Sequence, residues 1–82
     1  MSREDLKMLT QEDVGELLNI SRGQVQMLRE IGIIKAIKTG RNYMFSQEEI
    51  RRFQKDYGGY DVSNRVTAIQ SFKDVNFKIK EG

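Results

Sequence analysis

Between Thr10 and Gly32 the apolar residues return every three or four positions, and they do so in two runs with the phase reset between them. Val14, Leu17 and Leu18 share one side of a first short helix, and Val25, Leu28 and Ile31 share one side of a second. Each run opens on a hydroxyl residue with a partner three positions on, Thr10 with Asp13 and Ser21 with Gln24. In that pattern side chain and backbone exchange hydrogen bonds at a helix start. Leu9, just before the first cap, is placed to pack on Val14 as a staple. Asn19 tolerates a left-handed backbone and can end the first helix. Gly15 falls where the two apolar faces meet, and its missing side chain lets the helices cross closely. Two short helices joined by a tight turn make a helix-turn-helix, a unit whose second helix commonly lies in the major groove of DNA.

At 100° per residue, Gln24, Val25, Leu28 and Ile31 form the buried side of the second helix. Arg22, Gly23, Gln26, Met27 and Glu30 point away, with Arg29 on the flank. The outward set carries side chains suited to base edges, since Arg pairs with guanine and Gln with adenine. Gly23 costs the helix stability, and close approach to a phosphate or base is one reason to keep it; the ordinary alternative is a frayed first turn, where the cost is small. Ser21 and Thr10 add hydroxyls and helix N-terminal amides that suit phosphates.

After Gly32 the periodicity changes. Two apolar-rich runs, 33–38 and 42–45, flank Thr39, Gly40 and Arg41, which predicts a β-hairpin with glycine in the turn. Alternation puts Tyr43 and Phe45 on one face, with Ile37 as their partner on the opposing strand. Lys38, Arg41 and Asn42 gather at the tip, a wing that can reach a phosphate or the minor groove. Ser46 then caps a third helix, with Glu49 completing a capping box, and Ile50, Phe53 and Tyr57 recur at helical spacing. Arg51, Arg52 and Lys55 are expected on its solvated side. Gly58 and Gly59 end that helix.

Residues 58–82 are harder to place. Ser63 can cap a short helix with Val66, Ile69 and Phe72 on one stripe, whereas Val75, Phe77 and Ile79 alternate like a strand. These apolar residues either complete the core or meet a second copy or another protein. The domain plan is therefore an N-terminal arm, 1–9, from which Leu6, Met8 and Leu9 can tuck against the core; a compact unit, 10–57; and a tail, 58–82, that is a candidate oligomerisation or partner-binding segment.

Charge sharpens the reading. The whole chain of 82 residues carries a net +2, but residues 1–21 sum to −3 and residues 22–41 to +4, the latter from Arg22, Arg29, Lys35, Lys38 and Arg41 against Glu30. Positive charge concentrated on the second helix and the wing is the footprint of a nucleic-acid face, because neutralising phosphates releases counterions. The chain has no Cys and no His, which removes disulfides, zinc sites and the common thiol and imidazole chemistries. Its acidic residues fall at helix starts and on solvated faces, where capping accounts for them. No enzyme, cofactor or metal is expected. Apolar runs are too short for a membrane span, and the N-terminus lacks a signal-peptide core. The expectation is a cytoplasmic, nucleoid-associated protein.

The stretches LTQEDVGELLNISRGQV, from Leu9 to Val25, and GIIKAIKTGRNYMFSQEEI, from Gly32 to Ile50, resemble the winged helix-turn-helix of the excisionase and MerR-like DNA-binding domains, over residues 9–57. Asn19 stands where that family often has Gly, Gly15 where it often has Ala, and Gln26 where many members carry an aromatic residue or Arg. The resemblance implies a mainly α fold with a small β-hairpin, a recognition helix at 21–31 and a wing at 35–45. It further implies sequence-selective binding of double-stranded DNA without catalysis. Expected contacts are Ser21, Arg22, Gly23, Gln26 and Arg29 from the helix, Lys38, Arg41 and Asn42 from the wing, and Thr10 on the backbone. The roles it spans are excision, small-scale transcription regulation, DNA anchoring and a terminase small subunit. Partners would be DNA, a second copy, or a recombinase or other protein through residues 60–82. No small-molecule effector is expected, since the chain has no MerR-type sensor domain. A protein-interaction adaptor on the same fold is the alternative from a different class.

Overall fold

The computed structural model describes residues 3–81; the first two residues of the expected arm and the last of the tail lie outside it. A 3₁₀ turn, Arg3–Leu6, leads to strand β1, Leu9–Thr10, and helices α1, Gln11–Leu18, and α2, Arg22–Ile31. Strands β2, Ile37–Thr39, and β3, Asn42–Phe45, follow, then helices α3, Gln47–Asp56, and α4, Arg65–Glu81.

Both expected capping boxes at the helix-turn-helix form. Thr10 Oγ1 accepts the Asp13 N–H at 3.0 Å while the Asp13 carboxylate accepts the Thr10 N–H at 3.0 Å. Ser21 and Gln24 repeat the exchange at 3.1 and 3.0 Å. The Thr10 N–H, with the Thr10 hydroxyl beside it, holds the Asp13 carboxyl below its ordinary pKa. Asn19 ends α1 in the left-handed region, at φ 57°, and the Ile20 N–H closes back on the Gly15 carbonyl at 2.9 Å. Gly15 is needed for this turn: a Cβ there would stand 2.9 Å from the Ile20 carbonyl oxygen and 3.8 Å from Val25.

The wing departs from a simple two-stranded hairpin. The arm residues Leu9 and Thr10 pair with Phe45 and Met44, which makes a three-stranded antiparallel sheet in the order β1-β3-β2. Ile33 and Ile34 are not in a strand but buried in the core directly after α2. Strand β2 starts only at Ile37, which opposes Met44, while Lys38 opposes Tyr43. The expected pairing of Ile37 with Tyr43 and Phe45 is thus wrong by one residue of register, which puts Ile37 on the other face and leaves it exposed.

The core gathers Val14, Val25, Leu28, Ile34, Phe45, Ile50 and Phe53 from every layer, with Leu9 and Leu18 packed against it. Three further apolar placements fail. Leu17 is 60% exposed, because the buried arc of α1 runs through Val14, Gly15 and Leu18 and leaves Leu17 outside it. Leu6 is also exposed, although its 3₁₀ turn is tied down by Gln47 Nε2, which donates to the Glu4 and Lys7 carbonyls. Met27, expected to point outward, is buried. It lies on the side of α2 that α4 and its leading loop approach: Glu30 bridges Arg65 at 3.1 Å, and Gln24 Nε2 donates to the Ser63 carbonyl at 3.4 Å. The Phe72 ring lies 3.5 Å from where a Gly32 Cβ would be.

The tail forms one helix of 17 residues, with no strand at 75–79. Asn64, not Ser63, sits at its start, with Oδ1 accepting the Thr67 N–H at 3.0 Å, while Ser63 turns to Asp61. Ala68, Ser71 and Val75 make the buried stripe and Phe72 packs beside it; Val66, Ile69, Phe77 and Ile79 face outward.

Helix α3 keeps its Ser46 cap, since Ser46 Oγ accepts the Glu49 N–H at 3.0 Å. The capping box does not close, because the Glu49 carboxylate is taken elsewhere. It accepts the Lys35 N–H at 2.7 Å and two Arg52 donors at 2.8 and 2.7 Å. Arg52 is therefore not solvated as expected: it also donates to the Ile33 carbonyl at 2.6 Å and to Asp56 at 3.2 Å. This network pins the segment between α2 and the wing. Burial alone would raise the Glu49 pKa, but Arg52 and the Lys35 N–H outweigh it and hold the group below 4.5. A carboxylate depressed in the folded state stabilises it above the ordinary value, and this contribution fades as pH falls through the lowered one. Glu49→Gln should cost about 1 to 2 kcal/mol at neutral pH after allowing for solvent screening. In urea titrations from pH 7 to pH 3 the gap between variant and parent should close below about pH 4.5; a constant gap would contradict this role.

Candidate nucleic-acid interface

Because α4 covers one side of α2 and the core takes another, a single arc of α2 stays in solvent. Arg22, Gly23, Gln26 and Glu30 occupy it, with Ser21 at its head. Only Ser21 Oγ lies within 4 Å of a Cβ built on Gly23, so nothing within the fold requires glycine there. The Thr10 and Ser21 hydroxyls both accept cap bonds, which holds the two helix starts rigidly.

The wing comes to the same side. A cleft of about 270 Å³ is lined by Thr10, Gln11 and Glu12 of the α1 start, Arg22 of α2, and Arg41, Asn42, Tyr43 and Met44 of the wing. Gln11 Nε2 donates to the Arg22 carbonyl at 3.1 Å and ties the two helix starts together. Four residues named from sequence, Thr10, Arg22, Arg41 and Asn42, thus converge on one concavity. Gly23, Gln26 and Lys38 are exposed without lining it. Gly40, at φ 74°, takes the first central position of the two-residue wing turn, the left-handed position of a type II′ turn, and so sets where Arg41 emerges.

Arg29 is placed differently. It is half-buried, and its Cζ lies 3.8 Å from the centroid of the Tyr43 ring. Glu30, the one acid of α2, bridges Arg65, which together with the Gln26 amide lowers its pKa. Sequence reasoning missed Tyr43 and Gln11 as parts of this surface. Alternation places Tyr43 on the Phe45 face of the hairpin but does not show that α2 brings Arg29 over its ring; the one-residue change of register sets only its cross-strand partner, which is Lys38.

No helix among the described residues is long and apolar enough to cross a membrane, and none of their His, Cys, Asp or Glu residues form a group of three or more placed to hold a metal ion. Neither a curated protein nor a solved structure matches the chain. A family model described as a helix-turn-helix domain matches residues 8–57, which spans β1, α1, α2, the wing and α3 and points to DNA binding. With more than half of its length under that match and every element of the motif in place, the chain belongs to the helix-turn-helix domain family, a family of excisionase-like domains.

Proposed function

We propose that the protein binds double-stranded DNA with sequence selectivity and without catalysis, as a small architectural, excisionase-type or regulatory factor. In this reading α2 enters the major groove, with Arg22 and Gln26 at base edges and Gly23 allowing close approach. Arg41, Asn42 and Lys38 take the flanking backbone or minor groove, and the α1 start around Thr10 takes a phosphate. The observation that carries it is the convergence of the exposed start of α2 and the cationic wing tip on one face, beside a cleft open to solvent. A single domain of this size selects a genomic site poorly. Binding in pairs or side by side at repeated sites is therefore part of the proposal.

The test is selection of bound duplexes from a random pool, followed by titration of the selected site at two salt concentrations. Arg22→Ala and Gln26→Ala should each cost about 1 to 3 kcal/mol on that site and relax its sequence preference, whereas Arg41→Ala should weaken all sequences alike and lower the salt slope by about 1. Variants of Arg22 and Gln26 that bind the selected site as tightly as the parent would overturn the docking orientation. Affinity indifferent to duplex and to salt would instead fit a protein-interaction adaptor.

A further inference from the structure

We infer that Arg29 is a positioning residue: through the Tyr43 ring it holds the outer part of the wing against α2, so that the span from helix start to wing tip is set before DNA arrives. This rests on the duplex-binding reading above.

The geometry separates Arg29 from the other cations of the interface. Its guanidinium carbon stands 3.8 Å from the Tyr43 ring centroid, well within the range at which a cation and an aromatic face attract. Its Nε is buried and has no hydrogen-bond partner among the described residues. A buried N–H without an acceptor is costly, and here the ring face stands in for the missing partner. An arginine committed in this way is not an arm reaching for a base, whereas Arg22 is exposed.

Tyr43 is the hub of the wing. It pairs directly with Lys38 across the strands, and Lys38 Nζ lies 5.9 Å from the same ring centroid. Strand β1 supports β3 only at Phe45 and Met44, so its pairing stops just short of Tyr43. Two short strands are marginal on their own. The Arg29 contact at Tyr43 supplies an attachment to α2 beyond the end of β1 and next to the cationic tip.

The experiment is fluorescence anisotropy of the full chain with its selected duplex at two salt concentrations. Tyr43→Leu should lower the salt slope by about 1 to 2, as Lys38 and Arg41 lose their fixed placement over phosphates. Tyr43→Phe, which keeps the ring, should bind like the parent. Arg29→Met should reproduce the Tyr43→Leu loss, and the double variant should be no worse than either single change. Arg41→Ala, which weakens the parent, should add little once Arg29 is Met. The inference is overturned if Tyr43→Leu keeps the parent slope, or if Arg29→Met weakens binding by the same factor with Tyr or Leu at position 43, which would mark a direct DNA contact. Should Tyr43→Leu fail to fold, the cycle between Arg29→Met and Arg41→Ala decides by the same non-additivity. A parent that binds no duplex would sink the functional reading itself. The strut would then still be decided in the protein without DNA, where the heteronuclear ¹⁵N NOE at residues 38–42 must fall in Arg29→Met, and an unchanged NOE would refute it.

Discussion

Phe45→Ala is expected to remove most of the protein's stability. Phe45 is the largest of the fully buried side chains, and it closes the sheet against the helices from the last position of β3, opposite Leu9. Truncating a buried Phe typically costs about 3 to 5 kcal/mol. A single core in a chain this short supplies about 3 to 5 kcal/mol in total. Loss and reserve are therefore of the same size. Thermal unfolding followed by circular dichroism should show either no cooperative transition or a midpoint lowered by more than about 12 °C, since about 4 to 8 °C accompanies each kcal/mol at this size. A fall of only a few degrees would mean that Phe45 is not the keystone described here.

Removal of residues 65–82 should be nearly as damaging. Ala68 is fully buried and Val75 almost so, Phe72 packs beside them, and Ser71 Oγ donates to the Asp61 carbonyl at 2.8 Å. Without α4 the side of α2 bearing Met27 loses its cover, as does the Gly32 turn. The shortened chain should lose cooperative melting, and Ala68→Asp, which buries a carboxylate on an apolar stripe, should do the same in the full chain. A truncated chain that melted within a few degrees of the parent would show that the compact unit at 10–57 stands alone. Loss of self-association with stability unchanged would make α4 an assembly element.

The two helices, their caps and the Asn19 turn were legible because each is written locally: a hydroxyl and its partner three residues apart, a residue tolerant of positive φ, and a stripe of matching period. The cationic tip was legible for the same reason. What could not be read depends on residues far apart in the chain. Nothing around Leu9 announces that it will pair with Phe45. Ile33 and Ile34 look like strand residues because burial on all sides and burial in a strand leave the same apolar signature. Glu49 fits a capping box until Arg52 and the Lys35 N–H compete for its carboxylate, and the competition is visible only once α3 meets the loop after α2. Met27 is outward on a bare helix and inward once α4 arrives. The alternation at Val75, Phe77 and Ile79 is the weakest of these signals, because three alternating residues do not separate a strand from a helix that buries only one of them. On the exposed face Arg22, Gln26 and Arg41 stand where their spacing puts them and Arg29 lies on the flank, but its contact with Tyr43 joins residues fourteen positions apart and has no local signature.

The order β1-β3-β2 leaves β2 with a neighbour on one side only. Such a margin is an open template onto which another extended chain can add, and Ile37 in solvent would favour that. Brevity and a positive charge oppose it: β2 has three residues, and the middle one is Lys38. The same ammonium proposed for gripping phosphate thus discourages stray strand addition, so a neutral residue at that position would give up some colloidal robustness together with affinity.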